Sequence, residues 1–479
     1  MRVPRCLTRR TGRCNVAGPS AALAFALGSW AMAAPLPGPS LTPPPGPVTP
    51  TMKTIDQAQP RIPIDSAHTP GDGDNLFIIT TPGSYYLTGS ITFSTHDNGI
   101  AVRSPGVTID LNGFEVRRSA GTNGSGIEIN ETSHGCIVKN GTISGSLDYG
   151  VRCLAPAGSY ARGGTLSQLS VTGSGMAYAL FAGEGWLVEG CKVNDADGNG
   201  IGTARGCTLI NCSVSNNQEL GSSFSNSGIE AGAGSTLTNC TVSRITGENG
   251  IFAAAGGTLT NCVASNNTVA YPIRTEERCT LTNCIARDND SSEFFSYGIA
   301  TLDECTLTNC TSSGNTNAEH GGNGSAIFTL DNSTVRNCTA TSNAGNGIKV
   351  YASCQVIDCT VSSNGAYGIR VEDGHTRVTG NSCDDNGFSG IYLLSAGTGD
   401  CRIEGNNTTK NLRGIDVDST GNLILKNSAS GNTNVNYDIV ANNRYGEIID
   451  ITATGTGAVL GNSATSTLTG NHPWANFSY

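Results

Sequence analysis

The chain has 479 residues, of which 63 are glycine and 18 are cysteine, and only 14% of its residues are charged. This composition excludes a protein built mainly from amphipathic helices, because frequent turn residues interrupt any long helical pattern. The formal net charge of −10 argues against nucleic acid as a partner, since nucleic-acid-binding surfaces are basic.

Residues 1–33 have the pattern of an export signal. Five arginines, the last of them Arg13, precede an apolar run from Ala21 to Trp30, and the small residues Ala31 to Ala33 offer a cleavage site. Cleavage lowers the basic count from 28 to 23 against 38 acidic residues, which gives the mature chain a net charge of −15. The apolar run is too short to span a bilayer. We therefore expect a secreted or periplasmic protein with no transmembrane segment in the mature chain.

Residues 34–74 begin with a proline-rich stretch, which predicts a stiff spacer and a lead-in to the main domain. The main domain is predicted over residues 75–445, and residues 446–479 are predicted to form a C-terminal cap or tail. Although 479 residues could hold two or three domains, a repeat solenoid lengthens as one body.

Two short phrases alternate through the region from Cys207 to Asn432. One reads Leu-Thr-Asn-Cys with small changes, and its cysteines are Cys212, Cys240, Cys262, Cys284, Cys310, Cys338 and Cys359. The other reads Gly-Ile-x-aliphatic, as at Gly228, Gly347 and Gly414. A repeat of 20 to 30 residues is typical of one rung, or full turn, of a solenoid. The pattern predicts an all-β solenoid of about 13 rungs, each with three short strands whose alternate residues face inward.

An asparagine precedes the cysteine of the first phrase and is predicted to lie in a bend. The leucine and the cysteine are three residues apart, so both can face the core only if the chain bends between them. Asparagine accepts the left-handed conformation of such a bend, and its amide can bond to the next rung. The predicted asparagine ladder consists of Asn211, Asn239, Asn261, Asn283, Asn309 and Asn337. After residue 360, we expect Asn381, Asn406 and Ser428 to replace the cysteines.

These phrases resemble those of the right-handed parallel β-helix repeat proteins, the pectate-lyase-like superfamily. The segments from Pro82 to Gly89, from Val107 to Gly113 and from Pro473 to Phe477 are similar to secreted bacterial members without an assigned activity. The resemblance implies a right-handed parallel β-helix. The acid and histidine motifs of pectate lyases and polygalacturonases have no convincing copy, and we interpret His375 as a polar loop residue.

Sixteen cysteines remain after the export signal, and most of them fall in two inward columns. A disulfide framework is one reading for an exported protein, and a ladder of reduced thiols that fill the core is the other. Side chains in one column point in parallel, which disfavours the disulfide dihedral. Zinc is a weaker alternative, because the two columns belong to different faces of the core.

Outward residues of the Gly-Ile-x-aliphatic strands form a stripe of rings and charges on an otherwise Ser/Thr/Asn surface. Such a stripe favours a polysaccharide or a cell-surface glycan as the partner. The predicted substrate-binding residues are Arg274, Glu276, Tyr351 and Tyr392, and the candidate catalytic residues are Asp416, Asp418, Glu372, Arg370 and Lys349.

Two chemistries are open for this stripe. Asp416 and Asp418 lie two residues apart, a spacing of about 6 to 7 Å that suits the acid and base of an inverting glycoside hydrolase. A polysaccharide lyase would instead use Lys349 or Arg370 as the base, with calcium or another cation neutralising the uronate carboxyl. The alternative is a non-catalytic extracellular β-helix in which this stripe is a solvated strand face. We expect a monomer.

A calcium-binding reading is also open for the segment from Asp195 to Gly200, which matches the first half of an EF-hand loop. The twelfth position is Gly206 instead of glutamate, so we interpret the segment as a turn, with calcium as the only cofactor the sequence suggests.

Overall fold

The computed structural model describes residues 61–121, 124–153, 159–218, 226–291, 297–316, 324–395, 399–450, 459–461 and 472–479. The export signal and the proline-rich residues 34–50 lie outside these ranges. Within them the chain is a parallel β-solenoid of about 15 rungs, which confirms the predicted fold. The count exceeds the predicted 13 because the lead-in strand Ile62–Pro63 and the late strand Val459–Gly461 join the sheets without carrying either phrase.

The first sheet contains the strands that carry the Gly-Ile-x-aliphatic phrase. Its separate strands are Asn75–Ile79, Asn98–Val102, Ser125–Ile129, Asn199–Thr203, Ser227–Ala231, Thr246–Ala253, Thr268–Thr275, Tyr297–Thr301, Ser325–Thr329, Asn346–Val350, Ile369–Val371, Ser389–Leu393, Arg413–Val417, Val435–Ile439 and Val459–Gly461. Ile229 pairs with Ile251 and Ile251 with Ile273, so equivalent residues of successive rungs stack directly.

The second sheet carries the Thr-Leu-Thr part of the other phrase. Its separate strands are Ile62–Pro63, Gly83–Tyr86, Val107–Asp110, Leu187–Glu189, Thr208–Ile210, Thr236–Thr238, Thr258–Thr260, Thr280–Thr282, Thr306–Thr308, Thr334–Arg336, Gln355–Ile357, Arg377–Thr379, Arg402–Glu404, Leu423–Leu425 and Arg444–Tyr445.

The third sheet follows the cysteine. Its separate strands are Ile91–Phe93, Glu115–Arg118, Lys192–Asn194, Ser213–Ser215, Thr241–Ser243, Val263–Ser265, Ile285–Arg287, Thr311–Ser313, Thr339–Thr341, Thr360–Ser362, Ser382–Asp384, Asn407–Thr409, Ser428–Ser430, Ile448–Asp450 and Asn476–Ser478. Two long strands, Ile137–Arg152 and Thr165–Ala182, run through all three sheets. One short 3-10 helix, His472–Trp474, precedes the last strand. No helix in the described ranges is long and apolar enough to cross a membrane.

The core consists of columns of inward-facing aliphatic side chains and of cysteine thiols. Leu209, Leu237 and Leu259 of the second sheet and Ile229 and Ile251 of the first sheet have no exposed surface. All 16 cysteines between residues 136 and 401 are buried and unbridged. The thiols therefore serve as compact core filler in this structure, as free buried cysteines commonly do.

The predicted bend asparagines have the left-handed conformation. Their φ angles lie between 51° and 55°, and Asn239, Asn261 and Asn283 each donate an amide hydrogen bond of 3.1 Å to the asparagine one rung earlier. Asn309 and Asn337 share the backbone conformation, but their side chains make no such bond within the described ranges.

A second asparagine ladder lies in the core, at the bend between the third and first sheets. Its members are Asn267, Asn289, Asn315, Asn343, Asn364, Asn386, Asn411 and Asn432, and each amide before Asn432 donates to the asparagine of the next rung at 2.8 to 3.1 Å. Seven of these side chains are less than 6% exposed. This ladder satisfies amides that would otherwise be costly to bury.

The cysteine column lies at the bend between the second and third sheets, which we call the second bend. Beyond Cys359 asparagines take its place, but Ser428 is not one of its positions. Asn381 donates to Asn406 at 3.0 Å, Asn406 to Asn427 at 3.0 Å, and Asn427 to Asn476 at 3.1 Å. The prediction of Ser428 was wrong by one residue, because Ser428 already begins the third-sheet strand Ser428–Ser430.

Candidate functional site

The outer face of the first sheet presents one residue per rung in strict register. Its central column consists of Phe252, Arg274, Ala300, Phe328, Lys349, Arg370, Tyr392, Asp416 and Asp438. We call this column, with the rings and charges that touch it, the platform. The structure thus places the predicted residues Arg274, Lys349, Arg370, Tyr392 and Asp416 in one line.

Aromatic rings form a nearly continuous row along the platform. Tyr271 stacks on Tyr297 with ring centroids 5.6 Å apart and planes 7° apart, and Tyr297 lies 4.8 Å from Phe328. Phe328 contacts Tyr351 edge to face at 6.0 Å. The Arg274 guanidinium lies over the Tyr271 ring at 4.8 Å. The row therefore links the predicted residues Arg274 and Tyr351 through three rings that the sequence analysis did not predict, those of Tyr271, Tyr297 and Phe328.

The row ends in a second group of rings. Tyr367 stacks on Tyr392 at 4.5 Å, with planes 14° apart, and lies 5.3 Å from Phe388. Tyr392 itself is only 9% exposed, whereas Phe388 is 48% exposed. The accessible surface of this group therefore belongs to Tyr367 and Phe388, with Tyr392 behind them.

Lys349, Arg370 and Glu372 form one charged group. The Glu372 carboxylate lies 2.9 Å from the Lys349 Nζ and 2.8 Å from the Arg370 Nε. The Arg370 guanidinium also lies 5.4 Å from the Tyr367 ring centre and 5.9 Å from that of Tyr392. Two cations thus share one carboxylate beside the rings.

Asp416 is the most deeply buried acid of the platform. It is 1% exposed, and its Oδ2 accepts hydrogen bonds from the Ser389 hydroxyl at 2.7 Å and from Arg413 at 2.9 Å. Its other oxygen, Oδ1, has no hydrogen-bond partner among the described residues. Burial raises the pKa of the Asp416 carboxyl, and the bonds from Ser389 and Arg413 oppose that rise. Arg413 also lies 3.6 Å from Asp438, and its bond to Asp416 raises the pKa of the guanidinium.

Asp418 lies beside this group on the same outer face. It is half-buried, and its Oδ2 accepts a hydrogen bond of 3.1 Å from the Tyr392 hydroxyl. Burial, followed by the charge of Asp418, raises the pKa of the Tyr392 phenol to about 12. Asp416 and Asp418 therefore occupy different environments. Asp416 is buried and bonded to the Arg413 guanidinium, whereas Asp418 is more accessible and bonded to the Tyr392 phenol.

At the other end of the platform, Arg274 pairs with Glu248 at 2.8 Å. The Glu276 carboxylate instead accepts a hydrogen bond of 3.1 Å from the backbone N–H of Ala255, one rung earlier. This contact stabilises a bend, while the substrate-binding role of Glu276 stays a prediction.

The family of the chain follows from its repeat. Residues 77–269, 177–329 and 325–479 match the family model described as the right handed beta helix region. The chain belongs to the right-handed β-helix family. No curated protein matches the sequence.

Solved structures that resemble this β-helix show the fold alone. The A-module of the Azotobacter vinelandii mannuronan C-5 epimerase AlgE6 is 13% identical, with 72% of this chain and 90% of that chain covered and a TM-score of 0.40. The periplasmic alginate epimerase AlgG is 11% identical, with 78% and 76% covered and a TM-score of 0.33. The catalytic domain of a GH87 alpha-1,3-glucanase is 14% identical, with 76% and 70% covered and a TM-score of 0.30.

Two other candidate residues of this β-helix lie in bends. Asp195 has a φ of 54° and its N–H donates to the Ser215 carbonyl, as expected for a bend between strands. His375 has a φ of 60° and lies 3.8 Å from Asp400, with both side chains exposed. Across the described ranges, no three His, Cys, Asp or Glu side chains come together in a way that could hold a metal ion.

Proposed function

We propose that this β-helix binds a linear polysaccharide along the platform, outside the cytoplasm as the export signal predicts. The row of rings from Tyr271 to Tyr367 carries the proposal. Sugar rings present C–H faces that pack on aromatic rings, and the flanking charged groups offer hydrogen bonds to hydroxyls. From Phe252 to Tyr392 the central column spans six rung steps of about 4.8 Å, or about 29 Å, a length that suits a polymer.

Binding to a panel of neutral, acidic and amino polysaccharides tests the proposal, measured by affinity electrophoresis and then by calorimetry with oligomers. The double variant Tyr297→Ala/Tyr367→Ala removes two rings of the row, and we expect at least a tenfold loss of affinity. Phe477→Ala is the matched control, because this ring is 41% exposed on the third sheet, away from the platform. Equal affinity of both variants and the parent protein would contradict the proposal.

Cleavage of the bound polymer is the second candidate function. The observation that favours it is the difference between Asp416, whose buried carboxyl has a raised pKa and one unpartnered oxygen, and the more accessible Asp418. Unequal carboxyls are what an acid and base pair requires. At 1% exposure, Asp416 reaches a substrate only if Arg413 or Ser389 moves.

A lyase reaction requires a larger change. Lys349 and Arg370 both pair with Glu372, so either residue can act as a base only after that ion pair opens. Assays for new reducing ends and for unsaturated uronate absorbance, with and without calcium, separate hydrolysis from elimination. Activity that survives Asp416→Asn and Asp418→Asn would exclude this acid pair, and inactivity on the whole panel would leave a binding protein.

A further inference from the structure

The C-terminal end of the platform has an excess of carboxyl groups. Three acids, Asp416, Asp418 and Asp438, lie at this end, and the Arg413 guanidinium lies 2.9 Å from Asp416 and 3.6 Å from Asp438. Asp418 has no basic partner among the described residues, and the one polar contact of its carboxylate there is the Tyr392 hydroxyl at 3.1 Å. The acidic charge of this end is therefore only partly neutralised.

Ring faces lie next to these acids. Tyr392 connects the two groups, because its ring stacks on Tyr367 and its hydroxyl bonds to Asp418. Phe388 adds an exposed ring 5.3 Å from Tyr367. The negative face of an aromatic ring attracts cations, and a carboxylate beside it strengthens that attraction.

A cationic side chain already lies over two of these ring faces. Arg370 lies over Tyr367 and Tyr392, and Glu372 balances one of the two positive charges of Arg370 and Lys349. On the acidic side, the Oδ1 atom of Asp416 is buried and has no hydrogen-bond partner in the part of the chain that the structure describes. A buried carboxylate oxygen without a donor is costly, and a ligand that supplies a donor or a positive charge nearby lowers that cost.

We propose that Asp418, with the rings of Tyr367 and Phe388, forms a subsite for the protonated amine of an amino sugar. On this basis a partly deacetylated amino-sugar polymer is the preferred ligand. The inference rests on the proposed polysaccharide binding and specifies its substrate class. A uronate carboxylate beside Asp418 would meet that carboxylate and Asp438, and Arg413, the guanidinium at this end, is already paired with Asp416 and Asp438.

Four oligosaccharides of equal length test the subsite on the full chain by calorimetry at pH 5.5 and low salt. They are hexamers of glucosamine, N-acetylglucosamine, glucose and galacturonic acid. We expect the glucosamine hexamer to bind at least tenfold more tightly than the N-acetylated one, and the galacturonic acid hexamer to bind most weakly.

Two charge-matched variants locate the effect. Asp418→Asn should abolish the preference for the free amine and keep the affinity for the neutral hexamers. Glu189→Gln removes the same charge from the second sheet and should leave the preference unchanged. Thermal melting curves check that each variant is folded.

The possible failures are distinguishable. Equal binding of the glucosamine and N-acetylglucosamine hexamers would overturn the subsite and leave the platform intact. An equal loss in Asp418→Asn and Glu189→Gln would mean diffuse attraction to an acidic protein and would also overturn the subsite. Absence of binding by all four hexamers would overturn both proposals.

Discussion

The Tyr392 hydroxyl donates a hydrogen bond of 3.1 Å to the Asp418 carboxylate of the next rung. This bond fixes the boundary between the ring row and the acidic end of the platform. Because the pKa of Tyr392 is raised to about 12, the phenol remains a donor throughout the neutral and mildly alkaline range.

Tyr392→Phe keeps the ring and removes this donor. We expect the affinity for neutral oligosaccharides to stay within about twofold, because the stacked ring remains. In an ultraviolet pH titration, the variant should lose one phenol that ionises near pH 12. Loss of a phenol that ionises near pH 10, its ordinary value, would show instead that the phenol is not perturbed as the structure indicates.

Arg413→Ala should destabilise the protein strongly. The Asp416 side chain is only 2% exposed, and without Arg413 its charge loses its cationic partner. Breaking such a buried pair typically costs about 3 to 5 kcal/mol. The double variant Arg413→Ala/Asp416→Asn removes both charges and should recover a large part of the loss. Urea unfolding of the parent, both single variants and the double variant measures the coupling, and additive losses would contradict it.

The two asparagine ladders should differ in their contribution to stability. Asn315→Ala removes amide bonds to Asn289 and Asn343 inside the core, which leaves buried polar groups unsatisfied at a cost of about 2 to 4 kcal/mol. Asn261→Gly removes two bonds from the exposed ladder, to Asn239 and from Asn283, and keeps the left-handed bend; because water can replace these exposed bonds, its cost should stay below about 1 kcal/mol. Urea midpoints rank the two variants, and the reverse order would refute this assignment.

The buried thiols should make stability fall at alkaline pH. Burial raises the pKa of Cys354 and of Cys401 from 9.0 to about 11, so between these values the unfolded chain loses protons that the folded chain keeps. The stabilising contribution is complete below pH 9 and is lost as the pH rises toward 11. Unfolding free energies between pH 8 and 11 test this, and Cys354→Ala should reduce the slope. A flat profile would contradict it.

The alternation of inward and outward residues along each strand was sufficient to predict the core and the line of the platform's central column. Leu237 and Cys240 face inward on opposite sides of a bend at Asn239, and Lys349, Arg370 and Asp416 face outward in one line. These outcomes follow from the two-residue period of a strand.

This alternation did not predict three outward residues that precede the buried isoleucine of their strands by two positions, namely Tyr271, Tyr297 and Arg413. A strict two-residue period would turn these side chains inward with the isoleucine. The buried ladder did have a sequence signal, because Asn267, Asn289 and their equivalents occur five residues after the cysteine or asparagine of the second bend. That interval spans the whole third-sheet strand and a further bend, so its inward direction depends on geometry that the period alone does not give.

The change from cysteine to asparagine at Asn381 divides the second bend into two chemically different zones. From Cys191 to Cys359, any opening of this bend exposes sulfur, and from Asn381 onward it exposes an amide that thiol reagents do not attack. A brief pulse of a thiol-labelling reagent followed by peptide mass spectrometry would therefore record, position by position, how far the bend has opened from its upstream end. The order in which these cysteines become labelled therefore reports the direction in which the solenoid opens.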